Sequence, residues 1–414
     1  MSQRPPASSK VALVLSGGGT RGAYEAGVVL GLMEVLGRRP QDGPLFSVLS
    51  GTSVGAINAV YLAANAQRGD HGIHALCTLW SSLKLSDHAR FRLSSWTGSA
   101  GRALARLRLL EAGERGGRSL IDTRPLERIV DRSIDWAQLH ANVDAGRVSA
   151  LLVAALHVVS GRTTIFAELA PGAEFKGARD DRRVARFERV RLDHVLASAA
   201  LPILFPTRRV GEHYYCDGGL RFNTPISPAI RAGAERLVVV SVRHERTAGE
   251  VAATELLASG SDGRDPSAVF LIGKLLNALL LDPVSYDLQV LDRLNQLMEA
   301  LDGALTPEEM ARVNEVLVGA RGATYRRLHT LVFSPSQDLG QLAGRYVRTH
   351  LADVELNPLV KYMLARAAKQ APTQEADWAS YLLFDGGFAA QLIEVGRQDA
   401  HAKEREIREF FRAS

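Results

Sequence analysis

Val11-Ala12-Leu13-Val14-Leu15-Ser16-Gly17-Gly18-Gly19-Thr20-Arg21-Gly22 passes from an unbroken apolar run into a cluster of glycines, and a helix-spaced segment follows. The run is short and rich in valine and leucine, the pattern of a parallel strand buried on both faces. From Arg21 to Leu36 the residues Ala23, Val28, Leu32 and Leu36 recur at helical spacing, and Gly37 marks the stop. The same order then recurs. Leu45 to Leu49 reads as a second strand, Gly51-Thr52-Ser53-Val54-Gly55 as a tight turn, and Val54 to Ala66 as a second helix. A β-α-β-α opening predicts an α/β fold with a mainly parallel central sheet. Such sheets bind ligands at the carboxyl ends of their strands, where both glycine turns fall.

The two turns together read as an acyl-transfer site. Gly17, Gly18 and Gly19 string backbone N–H groups along a loop that ends at a helix N-terminus, where partial positive charge meets an oxyanion. Ser53 sits at a strained strand-to-helix turn, with Gly51 and Gly55 removing the Cβ atoms that would clash there. The Gly-x-Ser-x-Gly match alone is weak, since 37 glycines in 414 residues produce one by chance in roughly one chain in five. Its place between a strand and a helix carries the reading. Gly17-x-Gly19-x-x-Gly22 also matches a dinucleotide fingerprint, but the second strand runs through Ser50-Gly51 into Ser53 without the acid that would hold a ribose.

A serine nucleophile needs a base, and the residues offer two. Ser53, Asp217 and His244 stand in the order of an α/β-hydrolase triad, although that fold places several strands before its nucleophile. Alternatively Asp217, at a strand end before Gly218 and Gly219, acts on the serine directly, its basicity raised by poor solvation. A second Asp-Gly-Gly, at Asp385, competes for the same role. Arg21 either anchors the glycine loop or meets a phosphate, and Cys216 reads as a small buried strand residue.

Further along, Ile121 to Ile134 reads as a helix entered through Asp122-Thr123 with Pro125 in its first turn. Ser149 to Val159 and Thr163 to Phe166 read as paired strands, His194 to Ala200 as a short helix, and Tyr214 to Cys216, Leu237 to Val242 and Leu328 to Phe333 as strands. Residues 80–120 are arginine-rich and suit a cap over the site. Residues 247–265 read as a linker. From Ala268 to Ala300 an amphipathic leucine stripe, interrupted by Pro283, reads as helix packed on a core. From Gln398 the tail is a charged helix ending in Phe410-Phe411.

Composition narrows the class. The chain is 46% hydrophobic with a net charge of +5, long enough for one large α/β domain and an appended region. Its two cysteines, Cys77 and Cys216, imply neither a disulfide framework nor a metal site. With a polar start and no membrane-length apolar run, it reads as cytoplasmic. Basic residues cluster twice: eight against three acids from Lys84 to Arg118, and seven against three from Lys176 to Arg191. These suit solvated surface or anionic lipid headgroups; nucleic acid fits less well and is not expected, since neither cluster has interleaved aromatics or a recognisable binding module.

Four blocks in order, Gly17 to Gly22, Gly51 to Ala59, Ala197-Ser198-Ala199-Ala200-Leu201-Pro202, and Asp217-Gly218-Gly219 with Asn223-Thr224-Pro225, resemble the motif blocks of patatin-like phospholipases. The resemblance covers about residues 10 to 245. Phe333-Ser334-Pro335-Ser336 and Leu383-Phe384-Asp385-Gly386 are similar to the later part of bacterial members. It implies a three-layer α/β/α fold with a flexible start over 1–10, a catalytic domain over 11–246 and a mainly helical region over 266–414. It further implies phospholipase A or lysophospholipase chemistry by a Ser-Asp dyad without histidine, metal or other cofactor. Ser53 is then the nucleophile, Asp217 the base, the Gly17, Gly18 and Gly19 amides the oxyanion hole, and Arg21, Gly22, Gly51, Gly55, Gly218 and Gly219 their support. The expected partners are a phospholipid or lysophospholipid substrate, an anionic membrane surface at its periphery, and a second copy of the chain.

Overall fold

Ala12 and Val14 alternate with Leu13 and Leu15, and all four are fully buried, so both faces of their strand must be covered. The computed structural model describes residues 10–84, 90–91, 121–177, 181–202, 205–245, 249, 252, 282–321, 328–350 and 379–412. In chain order the sheet strands are β1 (Val11–Leu15), β2 (Val48–Thr52), β3 (Ala150–His157), β4 (Thr163–Leu169), β5 (Arg183–Phe187), β6 (Arg208–Val210), β7 (His213–Asp217), β8 (Arg236–Val240) and β9 (His329–Phe333). The helices are α1 (Gly22–Leu36), α2 (Val54–Ala64), α3 (His71–Ser81), α4 (Arg124–Ser133), α5 (Trp136–Asp144), α6 (Leu192–Ser198), α7 (Ile226–Arg231), α8 (Asp282–Ala304), α9 (Pro307–Arg321), α10 (Leu339–His350), α11 (Ala379–Leu382), α12 (Gly386–Ala402) and α13 (Glu404–Arg412).

The sheet runs β9-β8-β1-β2-β3-β4-β5, parallel from β9 to β3; β4 then turns antiparallel on β3, and β5 is parallel to β4. Leu13 and Leu15 belong to a core shared with α1, α2, α3, α5 and α12, through residues such as Leu32, Val60, Ile73, Leu139 and Leu392. Ala12 and Val14 belong to a second core on the opposite face, closed by Ile226 and Ala229 of α7 and Leu291 of α8. The fold is thus a mostly parallel sheet between two helical layers. Each fully buried leucine contributes about 2 kcal/mol. No helix among the described residues is long and apolar enough to cross a membrane.

The elements depart from the sequence reading at their edges. β2 starts at Val48 rather than Leu45, because its pairing with β1 begins at Val48 opposite Ala12, and it runs on to Thr52 because β3 pairs with it as far as Ala154. Ile121-Asp122 pair with Arg90-Phe91 instead of opening α4, which starts after Thr123. α1 ends as expected: Gly37 adopts φ 62°, its N–H reaching the Glu34 carbonyl while Arg38 N–H reaches that of Met33. Pro283 falls in the first turn of α8 as described, where a missing N–H costs nothing. Along α8 Leu291 and Met298 are buried, but Leu297 is 54% exposed. The start of the chain through residue 9, the cap over 92–120, nearly all of the 247–265 linker and the leucines from 271 to 279 lie outside the described residues.

Candidate active site

Ser53 is the one non-glycine residue with positive φ among those described, at φ 54° and ψ −125°. Such a conformation costs about 1–3 kcal/mol and lasts only where its surroundings impose it. The surroundings here are backbone. A Cβ on Gly55 would lie 2.5 Å from the Leu15 carbonyl oxygen, and one on Gly51 2.3 Å from that of Gly55, so only glycines let β1, β2 and α2 meet at this turn. Ser198, the last residue of α6, completes the hold: its hydroxyl accepts the Ser53 N–H at 2.8 Å and donates to the Ala154 carbonyl at 2.6 Å. Nothing in the sequence assigned Ser198 that role, although it stands within the Ala-Ser-x-x-x-Pro block.

Asp217 reaches the serine through strand register. β2 ends with Thr52 opposite Ala154. One residue on, Ala155 pairs instead with Asp217 of the antiparallel β7, while β4 occupies the other edge of β3. β7 therefore takes the place that β2 vacates and points its last residue at the turn. Ser53 Oγ donates to Asp217 Oδ2 at 2.6 Å, and Gly219 N–H donates to Oδ1 at 2.7 Å. The carboxyl is 1% exposed. Burial pushes its pKa up to about 6, against the two hydrogen bonds that favour the charged form.

The glycine loop lies against the same turn. A Cβ on Gly17 would fall 3.1 Å from that of Ser53 and 2.4 Å from Asn223 Oδ1. Gly17 N–H is spoken for, donating to the Asn223 carbonyl at 3.2 Å. The amides of Gly18 and Gly19 make no hydrogen bond with described residues. Arg21 is 3% exposed and anchors the loop rather than facing solvent: Nε and Nη2 donate to Ser380 Oγ at 2.9 and 2.7 Å, and the guanidinium stacks on the Tyr381 ring at 4.2 Å. Beneath it, Asn58 donates to the Gly22 carbonyl and to Glu25, each at 2.9 Å, and accepts from Trp80 Nε1. Burial holds the Glu25 carboxyl well above the usual carboxylate range.

Compared with known protein families, residues 13–230 match "Patatin-like phospholipase". The chain belongs to that family. Its patatin-like part thus spans both glycine turns and Asp217, and the family is one of lipid acyl hydrolases. Solved structures similar to it include VipD from Legionella pneumophila, with 13% identity over 93% of this chain and 92% of that one, at a TM-score of 0.29. Human GIVD cytosolic phospholipase A2 matches at 11% identity over 100% of this chain and 64% of its own, at a TM-score of 0.40. Its complex with methyl gamma-linolenyl fluorophosphonate matches at 14% identity over 98% and 60%, at a TM-score of 0.39. No curated protein matches.

The other two residues weighed as a base make different contacts. Asp385 caps α12, accepting from Gly387 and Phe388 N–H at 3.0 and 3.2 Å and from the Tyr346 hydroxyl. His244 Nδ1 stands 2.8 Å from the Pro335 carbonyl, and both Asp217 oxygens are occupied by Ser53 and Gly219 rather than by an imidazole. Both thiols are buried, and burial raises them, Cys77 to about 12 and Cys216 to about 11.

Proposed function

We propose that the chain is a serine lipid acyl hydrolase of phospholipase A or lysophospholipase type, working through a Ser53-Asp217 dyad. The observation that carries this reading is the 2.6 Å hydrogen bond from Ser53 Oγ to a buried carboxylate of raised basicity. Asp217 takes the hydroxyl proton as Ser53 attacks the ester carbonyl, and the oxyanion forms against the N–H groups of Gly18 and Gly19. Asp217 returns the proton to the departing lipid alcohol. Water then attacks the acyl-serine with Asp217 again as base, which frees the fatty acid and restores Ser53. Gly17, with its amide engaged by Asn223, shapes the loop rather than donating.

The direct test is labelling. A fluorophosphonate is expected to modify Ser53 stoichiometrically, read as a mass increment on the peptide that contains it; an unlabelled Ser53 in folded protein overturns the hydrolase reading in favour of a lipid-binding scaffold. A second expectation follows from Asp217. The base must be ionised, so kcat/KM for a soluble ester falls about tenfold per pH unit below its pKa of about 6. A pH profile with an acid limb near 4, the range of an unperturbed carboxyl, would contradict a buried base.

A further inference from the structure

Strand β3 outruns β2 on the side where the site opens. Thr52 pairs with Ala154 and Asp217 with Ala155, so at about 3.3 Å per residue Val158 stands about 10 Å beyond the dyad. The tip of the β3-β4 hairpin exposes Val158 at 44% and Val159 at 86%. The β6-β7 hairpin projects beside it: Val158 N–H donates to the Tyr214 carbonyl at 2.9 Å, and the Tyr214 side chain is 51% exposed.

Four exposed arginines surround these apolar side chains. Arg162 follows the turn, Arg182 offers its carbonyl to Thr163 N–H at 2.9 Å, Arg209 pairs with Tyr214, and Arg221 donates to the Gly161 carbonyl. Among the described residues of the same segments, the exposed acids are Asp181 and Glu212. The Lys176 to Arg191 cluster does not act as one patch. On β5, Arg183 stacks over Phe222 at 4.3 Å and Arg186 lies 6.0 Å over Tyr215, on opposite faces of the sheet. Phe187, 60% exposed, is four residues further from the tips and packs on Phe175.

Single exposed apolar residues need no explanation. Two valines at a hairpin tip, beside an exposed tyrosine and ringed by arginine, match a lipid interface. There the aliphatic groups enter the acyl boundary, tyrosine sits at headgroup level and guanidinium meets phosphate. We propose that the paired tips, Val158 to Arg162 and Arg209 to Tyr214 with Arg182 and Arg221, seat the protein on an anionic lipid bilayer. The proposal rests on the hydrolase reading for its purpose, since it brings the Ser53 side of the sheet against lipid.

The test uses the full chain as Ser53→Ala, so that vesicles stay intact, in flotation with phosphatidylcholine vesicles and with equal phosphatidylcholine and phosphatidylglycerol. Binding to the mixed vesicles is expected to exceed binding to the neutral ones by more than tenfold and to weaken with salt. Arg162→Gln and Arg182→Gln should each weaken it about fivefold, Val158→Ser with Val159→Ser about tenfold, and Phe187→Ser not at all. With Ser53 restored, the tip variants should hydrolyse a soluble short-chain ester at the wild-type rate. Unchanged binding in the tip variants, equal binding to both vesicles, a matching loss in Phe187→Ser, or lost ester hydrolysis in the tip variants each overturns the proposal. Failure of the hydrolase reading is separate: wild type then cleaves no soluble ester, whatever the vesicles do.

Discussion

Asp217→Asn is expected to lower kcat/KM for ester hydrolysis by at least about four orders of magnitude, because among the described residues it removes the proton acceptor that the Ser53 hydroxyl bonds. The fold should survive the change. Asparagine keeps one oxygen for Gly219 N–H and presents an amide N–H to Ser53 Oγ in place of the lone pairs. Stability should rise. A carboxyl whose pKa is 3.8 when solvated and about 6 when folded costs about 3 kcal/mol, to order of magnitude, when it is ionised in the native state. Because the folded value is the higher one, that cost is absent below the unfolded pKa and fully present above pH 6. The wild type should therefore gain stability relative to Asp217→Asn as the pH falls from 7 to 4, and at pH 7 the variant should melt higher. Loss of activity with a raised melting temperature separates a base from a structural residue. A drop in both would mark Asp217 as part of the scaffold. Ser53→Ala should match the activity loss, and the double variant should lose no more, since the two groups act as a unit.

The layers and the Ser53 turn were legible because their causes are local. An apolar pentapeptide, a glycine break and a helical period each sit within a few residues, and β1, α1, α2 and the β3-β4 hairpin follow from them. Asp217 was legible as a strand-end acid before glycines, but its approach to Ser53 depends on β7 replacing β2 along β3, a register that no local pattern encodes. The same limit hid Ser198, 145 positions from the amide it holds, and Ser380, 359 positions from Arg21. Arg183 and Arg186 fall in one charge cluster of the sequence, yet a period of two puts them on opposite faces once their segment is a strand. The family resemblance supplied what spacing did not: it singled out the Asp217 glycine pair over that at Asp385, which turns out to be a helix cap.

Gly19→Ala should cost hydrolysis about two to three orders of magnitude while leaving the chain folded. Gly19 has φ +58°, and a Cβ there would lie 2.1 Å from the carbonyl oxygen of Tyr381. Backbone cannot yield as a flexible side chain does, so either the loop or α11 must move. Thr20 Oγ1, donating to the Tyr381 oxygen at 3.3 Å, and Arg21, stacked on its ring, tie the loop and α11 together. Forcing the two apart at Gly19 therefore strains the loop and displaces the N–H groups of Gly18 and Gly19. Removing one oxyanion donor is worth about 10² to 10³ in kcat. The loss should therefore appear in kcat, with KM for a short ester little changed, because the donors matter most once the oxyanion has formed. Gly37→Ala is the matched control. Gly37 has φ +62° with nothing within 4 Å of an added Cβ, so it incurs the backbone strain alone, about 1 kcal/mol of stability with kcat intact. If both alanines cost only stability, the glycine loop does not hold the oxyanion. If only Gly19→Ala lowers kcat, the contact with Tyr381 is what fixes the loop, and a segment near the carboxyl terminus sets the geometry of a site that begins at Gly17.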